Sequence, residues 1–343
     1  MNDFAMYRLP YATDAYRIDD TACDPLMLTS ASELDGVSGF VMAPFVVSAD
    51  APVIVIRGEV RKVELPQAEV AAGGMEHADR EAYEKDFKAF HSAIVCGRFS
   101  KLVLSRCSEV VADKPFNAEL LFAEASRRYP RMMIALVSSS IAGTWLMATP
   151  EILLARDGDG WRTMALAGTM PYEGTLECEW SKKNIAEQKF VADYIAGCLS
   201  PLVSDIEVSE PYTVRAGNIV HLRSDFFFRY SRNGIGNVVE ALHPTPAVCG
   251  LPKQEAMDFI LENETGNRRY YSGYLGPWNI NGESSLFVSL RCMEISGNCC
   301  VMHAGGGLLA GSVEDSEWRE TVIKMESMRQ LVVASSFATG GDI

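Results

Sequence analysis

Four charged residues stand at spacings that could do chemistry. Glu317, Glu320 and Lys324 follow the run His303-Ala304-Gly305-Gly306-Gly307-Leu308-Leu309-Ala310-Gly311-Ser312, and at about 100° per residue they fall within one arc of a helix. That arc continues into Met328 and Leu331 and borders the stripe Trp318, Thr321, Met325 and Val332. The charges therefore point inward or along the edge of the core. Glu187 is the fourth. On a helix expected over about 181–200 it shares, with Asn184, the apolar arc of Val191, Tyr194, Ile195, Cys198 and Leu199. Carboxylates are costly to bury unless they pair or bind a metal. For the C-terminal helix the plain reading is an i,i+4 pair between Glu320 and Lys324; metal binding is the other.

The elements around these residues follow from pattern. Three glycines let the backbone approach a ligand closely and turn sharply. Ser312 suits an N-cap, with Glu314, Asp315 and Glu317 in the first turn. Gly305-Gly306-Gly307-Leu308-Leu309-Ala310 also fits the dinucleotide fingerprint G-x-G-x-x-A. That motif opens a doubly wound sheet, however, and only 33 residues follow Ala310. Tyr83, Phe87, Phe90, Ile94 and Val95 are spaced as a helix over 79–100, with Gly97 where it would stop. Lys101-Leu102-Val103-Leu104-Ser105-Arg106-Cys107 alternates as a strand, placing Lys101 on the face of Val103, Ser105 and Cys107.

A helix over 117–129 and β-like runs over 132–138 and 144–148 follow. Thr149-Pro150 interrupts the second run, and Glu151 begins the strand Ile152-Leu153-Leu154-Ala155, where a charge is ordinarily solvated. The run 161–166 leads into Ala167-Gly168-Thr169, read as a small-residue turn. After Pro201 the pattern is β-like and irregular through His221-Leu222 and Phe226-Phe227-Phe228, and residues 243–252 form a proline-fixed extended loop. A helix is expected over 253–263, strands over 270–276 and 285–295, and a Gly297-Asn298 turn into a strand over 299–304. Arg291 then lies mid-strand on the face of Phe287, Ser289 and Met293, a placement more often functional or ion-paired than exposed. Strands interspersed irregularly with helices indicate an α+β fold with large, mostly antiparallel sheets.

Composition bounds the function. The 343 residues, 48% hydrophobic and 22% charged, suit one large core or two smaller ones. A net charge of −14 argues against nucleic acid and anionic membranes as partners. No apolar run reaches the ~18 residues of a membrane span, and Met1-Asn2-Asp3-Phe4 does not open a secretory signal. Nine cysteines, with no C-x-x-C pair, read as reduced core residues of a cytoplasmic protein. Residues 1–85 carry β-like pieces (39–42 and 53–57) and are expected to supply sheet and scaffold.

Taken in order, Lys101-Leu102-Val103-Leu104-Ser105-Arg106, Thr149-Pro150-Glu151, Ala167-Gly168-Thr169, the Glu187 helix, His221-Leu222, His243-Pro244-Thr245-Pro246-Ala247, Leu290-Arg291, Ala304-Gly305-Gly306-Gly307 and Glu317-Trp318-Arg319-Glu320-Thr321 resemble the chorismate-utilising enzymes. Within that family the chain looks most like isochorismate synthases. The resemblance covers roughly 85–335. It divides the chain into residues 1–85, which add to the sandwich without motifs, a catalytic core over 86–335, and a tail over 336–343.

The resemblance implies a single α/β sandwich of two large, mostly antiparallel sheets surrounded by helices. It also implies Mg²⁺ held by Glu187 and Glu320 with Glu317 close by, which suits a hard cation that prefers oxygen ligands. The substrate-binding residues implied are Gly168, Thr169, His221, Tyr271, Leu290, Arg291, Gly305 and Lys324, with Arg291 offering a planar fork to the pyruvyl carboxylate. The reaction implied is addition of water at ring C2 with loss of the C4 hydroxyl. By resemblance Lys101 is the base, which must then be neutral, and Glu151 the acid, which must hold its proton near neutral pH.

Within the family resembled, Lys101 together with Ala167 implies water and not ammonia as nucleophile, so no glutaminase subunit is expected; a monomer is expected. Menaquinone biosynthesis is the expected pathway. The alternatives are a siderophore-pathway enzyme, a salicylate synthase, which would share Lys101, Tyr271 and Leu290, and an inactive module that binds a carboxylate. Two departures stand out from the resemblance: Asn184 and Gln188 replace a glutamate and a histidine common on the Glu187 helix, and Met170 replaces an arginine.

Overall fold

A computed structural model describes residues 3–20, 25–67, 74–216, 219–230 and 234–332. Two antiparallel sheets of ten strands each make up the body. One contains the strands Lys101–Val111, Met133–Ser139, Gly143–Thr149, Cys292–Ser296 and Cys299–Leu308; the other contains Gly39–Ala43, Ile152–Asp157, Gly160–Pro171, Ile219–Arg229, Tyr274–Trp278 and Ser285–Val288. Their inner faces meet in one apolar cluster, with Tyr7, Val137, Trp145 and Met147 from the first sheet against Phe40, Met42, Ile54, Met164 and Phe287 from the second. This is the expected α+β sandwich, because strands buried on one face alternate with period two. The N-terminal strand Phe4–Arg8 pairs with Met133–Ser139, so residues before the first motif complete the same sheets.

Helices cover the outer faces. α1 (Arg80–Val95) and α2 (Ala118–Arg128) start at Asp79 and Asn117, whose side chains accept the amides of Ala82 and Leu120. α3 (Lys182–Leu199) starts at Ser181, which accepts the amide of Asn184, and lies with α4 (Gly236–Leu242) on the second sheet. α5 (Lys253–Asn263) packs near α1, and α6 (Glu314–Val332) lies on the first sheet. The short α4 falls between the β-like run ending at Phe228 and the loop from His243, where the sequence reading assigns no element; its seven residues are two turns, too few to set a helical period.

Five expectations are corrected. The segment 285–295 is two strands, and Arg291 lies between them with φ 47°, a left-handed backbone that costs about 1–2 kcal/mol for a residue with a Cβ. There the chain leaves one sheet for the other, so Arg291 shares no strand face with Phe287 or Met293. Gly305, Gly306 and Gly307 are not a turn but the extended end of Cys299–Leu308, paired with Ser105, Leu104 and Val103. Helix α6 begins two residues past Ser312, whose hydroxyl accepts the Leu309 amide instead of capping it. Ala167-Gly168-Thr169 lies inside Gly160–Pro171 at a bulge, with Gly168 at φ 72°, and Tyr271 precedes its strand, which starts at Tyr274.

The eight described cysteines are free, but Cys96 and Cys107 are exposed and only Cys249, Cys292 and Cys300 are buried. Cys23 and the tail over 336–343 fall outside the described residues. No described helix is long and apolar enough to cross a membrane.

Candidate active site

Two crossings between the sheets lie side by side and build the site. Thr149-Pro150-Glu151 carries the chain from the first sheet to the second, and Ser289-Leu290-Arg291 carries it back. The crossings are tied to each other, since the Val288 amide donates to the Glu151 carbonyl at 2.9 Å and the Ala148 amide to the Arg291 carbonyl at 3.1 Å. Glu151 and Arg291 thereby face one cavity. Leu290, Gly168, Thr169, Glu187, His221, Tyr271, Gly305 and Lys324 line it too, as do Ala167 and Ala247. Of the residues expected at the site, only Lys101, Glu317 and Glu320 are not on its wall; Lys101 lies beside Glu187 at Gly307, and Glu317 and Glu320 lie at Gly306.

That strand explains its glycines. Beyond Ala304 one edge of Cys299–Leu308 has no strand partner among the described residues. The Gly305 carbonyl accepts Lys324 Nζ at 2.9 Å on this free edge, and in an extended strand its amide points the same way. Side chains would not fit here. A Cβ on Gly305 would lie 2.9 Å from the Tyr271 hydroxyl, and one on Gly307 would collide with Glu187 Oε1 and approach Lys101 Cε to 2.8 Å.

Around the glycines sits a belt of opposite charges. Lys101 Nζ meets Glu187 at 3.0 Å, Lys183 Nζ meets Glu317 at 2.5 Å and Lys324 Nζ meets Glu320 at 2.8 Å. Burial alone would raise the Glu187 pKa, but Lys101, Lys324 and Lys183 outweigh it and hold the carboxyl below its ordinary value. Glu317 goes the other way, raised by burial and by Glu320 beside it. Its Oε2 is buried with no hydrogen-bond partner among the described residues, although the Ser312 side chain is near enough to draw the Glu317 pKa down. The i,i+4 pair of Glu320 and Lys324 is present, and it is part of this belt, not an isolated surface pair. Lys183 escaped the sequence reading, although it lies four residues before Glu187 on the same helix face.

Glu151 differs from every other carboxylate here. It is 2% exposed, its carboxyl has no ion pair within 4 Å among the described residues, and burial pushes its pKa up to about 8 in spite of Lys101, Arg291 and Lys324. The reading of a solvated strand-start charge is thus overturned, and the residue holds a proton at neutral pH.

His221 and Arg291 form a second unit. His221 Nδ1 donates to the Gly168 carbonyl at 2.8 Å, which leaves Nε2 as an acceptor for Arg291 Nη2 at 2.7 Å. Burial, then Arg291, push the His221 pKa well down, so the ring is neutral. Arg291 Nη1 is buried with no partner among the described residues. A buried guanidinium half-used in this way has the geometry to receive an anion. Tyr271, raised by burial, stands by as a neutral hydroxyl, its ring stacked on His303 at 5.5 Å.

Asn184 and Gln188, the two departures on α3, have structural partners. Asn184 packs on the Gly168 bulge, and Gln188 Nε2 donates to Ser224 at 3.0 Å.

A family model described as chorismate binding enzyme matches residues 56–333. An isochorismate synthase of Bacillus subtilis (strain 168), DhbC, is 31% identical over 265 residues, covering 72% of this chain and 67% of the relative. A Mycobacterium tuberculosis (strain H37Rv) protein provisionally named isochorismate synthase MenF is 31% identical over 316 residues, 83% of each. Among solved structures, a Bacillus anthracis protein provisionally assigned as DhbC, a 2,3-dihydroxybenzoate-specific isochorismate synthase, superposes with a TM-score of 0.82 at 23% identity over 96% of both chains, a likeness of fold.

Proposed function

The chain belongs to the chorismate-binding enzymes, and from that premise we propose that it converts chorismate to isochorismate. The observation that carries the reading is the pairing, in one cavity, of a protonated buried glutamate with a half-satisfied arginine. Arg291 Nη1 takes a carboxylate of the substrate, and the Tyr271 hydroxyl and the Gly305 amide are within the same pocket wall. Lys324, held by Glu320 and the Gly305 carbonyl, supplies charge for the second carboxylate.

Water adds at C2 while the C4 hydroxyl leaves. Hydroxide is a poor leaving group, so Glu151 donates its proton to the departing oxygen; water is a poor nucleophile, so Lys101 accepts a proton from it. One water enters and one departs, which balances the isomerisation. In the structure Lys101 Nζ is held by Glu187 Oε1 at 3.0 Å.

The residues present fit Mg²⁺. No three described His, Cys, Asp or Glu side chains converge as a ready-made cage, yet Glu187, Glu320 and the unpartnered Oε2 of Glu317 surround Gly306 and Gly307. Mg²⁺ commonly takes one or two carboxylates and completes its shell with water and ligand oxygens. When bound, the ion would anchor and polarise a substrate carboxylate and engage Glu187. The pathway we assign is menaquinone biosynthesis, supported by the likeness to MenF over 83% of the chain.

Incubation with chorismate and Mg²⁺, with products separated by chromatography, tests the reading. Isochorismate without salicylate is expected. Salicylate with pyruvate would move the assignment to a salicylate synthase, and unchanged chorismate would sink both in favour of a carboxylate-binding module. Rescue of menaquinone synthesis in cells lacking their own menaquinone-specific isochorismate synthase tests the pathway.

A further inference from the structure

Three lysines face three glutamates in the belt, and they are not held alike. The Lys101 side chain is 0% exposed. That of Lys324 is 19% exposed and donates to the Gly305 carbonyl as well as to Glu320. The Lys183 side chain is 37% exposed, and its only hydrogen bond among the described residues goes to Glu317. Burial would lower the Lys183 pKa, but Glu317, then Glu320 and Glu187, outweigh it and raise it, so this one ammonium feels all three carboxylates.

Glu317 is the opposite case. It is almost fully buried, and Lys183 satisfies only Oε1. Its bare Oε2 lies 3.4 Å from where a Cβ on Gly306 would sit, and Glu320 Oε1 lies 3.8 Å from the same point. Two acidic oxygens thus look onto one spot. Lys324 already holds the Glu320 oxygen and the Gly305 carbonyl, whereas Lys183, on the other oxygen of Glu317, sits on a flexible four-carbon stem with a route to solvent.

We propose that Lys183 is a displaceable stand-in for the divalent cation, holding Glu317 while the site is empty and swinging into solvent when the metal enters. It then acts as a built-in competitor that sets metal affinity. The inference rests on the reading that this site takes Mg²⁺. Lys101 cannot play this part, because its enclosed side chain has nowhere to go.

Calorimetric titration of MgCl₂ into substrate-free protein tests it with Lys183→Met, Lys183→Arg and the control Lys182→Met, an exposed neighbour with no ion pair among the described residues. Lys183→Met should bind Mg²⁺ about tenfold more tightly than the parent, roughly the factor given by one lost competing contact. Lys183→Arg, whose fork grips a carboxylate at two points, should bind it more weakly. Lys182→Met should stay within about twofold. Lys183→Met should also melt below the parent without metal and gain more in Tm from saturating Mg²⁺. Unchanged or weaker affinity in Lys183→Met, or equal or tighter affinity in Lys183→Arg, overturns the proposal and leaves the magnesium reading standing. If the parent and every variant fail to bind Mg²⁺, both fall. Should Lys183→Met not fold, Lys183→Arg alone still decides.

Discussion

Glu151→Gln separates the role of a proton from that of a shape. The carboxyl has a folded pKa of about 8 against an ordinary 4.5. Between those values the folded protein holds a proton that the unfolded chain has released, so stability falls as pH rises from about 4.5 and the loss levels off above about 8. Integrating the linkage gives a penalty of about 1 kcal/mol at pH 5, about 3 at pH 7 and about 5 at pH 9, as an upper bound for so buried a group. Glutamine has nearly the same volume and no proton to lose. The variant should therefore gain about 4 kcal/mol relative to the parent between pH 5 and pH 9. Urea denaturation of both proteins at these pH values reads the difference directly, with unchanged m-values as the check that the unfolded states match. Turnover should be lost in Glu151→Gln, and in the parent it should decline above about pH 8 as the acid ionises. Parallel stability curves for the two proteins would refute the argument, since they would mean that Glu151 is already ionised in the fold.

Lys101→Ala should abolish turnover while chorismate still binds, measured by product formation and by titration calorimetry; a parent protein with no turnover would instead favour the binding module. Gly307→Ala should lower kcat/KM far more than Gly306→Ala, because the first methyl collides with Glu187 and presses on Lys101 whereas the second meets carboxylate oxygens at 3.4 and 3.8 Å. Equal losses in the two variants would contradict the packing argument. Arg291→Lys removes both the His221 contact and the unpartnered nitrogen, and should raise KM for chorismate by about 10- to 100-fold, the range for one charge-assisted hydrogen bond. An unchanged KM would remove Arg291 from the carboxylate pocket.

Glu187 was legible in the sequence because a helix wheel is a local construction, and a carboxylate on its apolar arc stands out whatever the helix packs against. Arg291 was legible as important but not as placed. Alternation along 285–295 assumes one strand, and nothing local says that the chain changes sheets after Val288. The glycines failed for a related reason. Read locally, three of them mean a turn; in the fold they remain extended, and the missing Cβ atoms make room for Glu187, Lys101 and Tyr271, which arrive from remote positions. Glu151 was the hardest, since a charge at a strand start is exposed unless a second crossing covers it, and the crossing that does so lies about 140 residues later. What the motif order carried was the identity of the participants; their distances and protonation belong to tertiary contacts.

The charges of the belt bear on how a chain of net charge −14 receives a dianion. Lys101, Lys183 and Lys324 are each matched by a glutamate, so the belt presents little net field to the cavity. Arg291 is not matched: its neighbour His221 is neutral, and its Nη1 has no partner. The carboxyl that would otherwise neutralise it is Glu151, which burial keeps protonated. The proton on Glu151 therefore does two things. On the proposed reading it would supply the acid for the leaving hydroxyl, and it leaves Arg291 as uncompensated positive charge facing the cavity. An ionised Glu151 would compete with that substrate for Arg291, so the acid and the anion receptor can share one cavity only because the two sheet crossings bury the glutamate without giving it a partner.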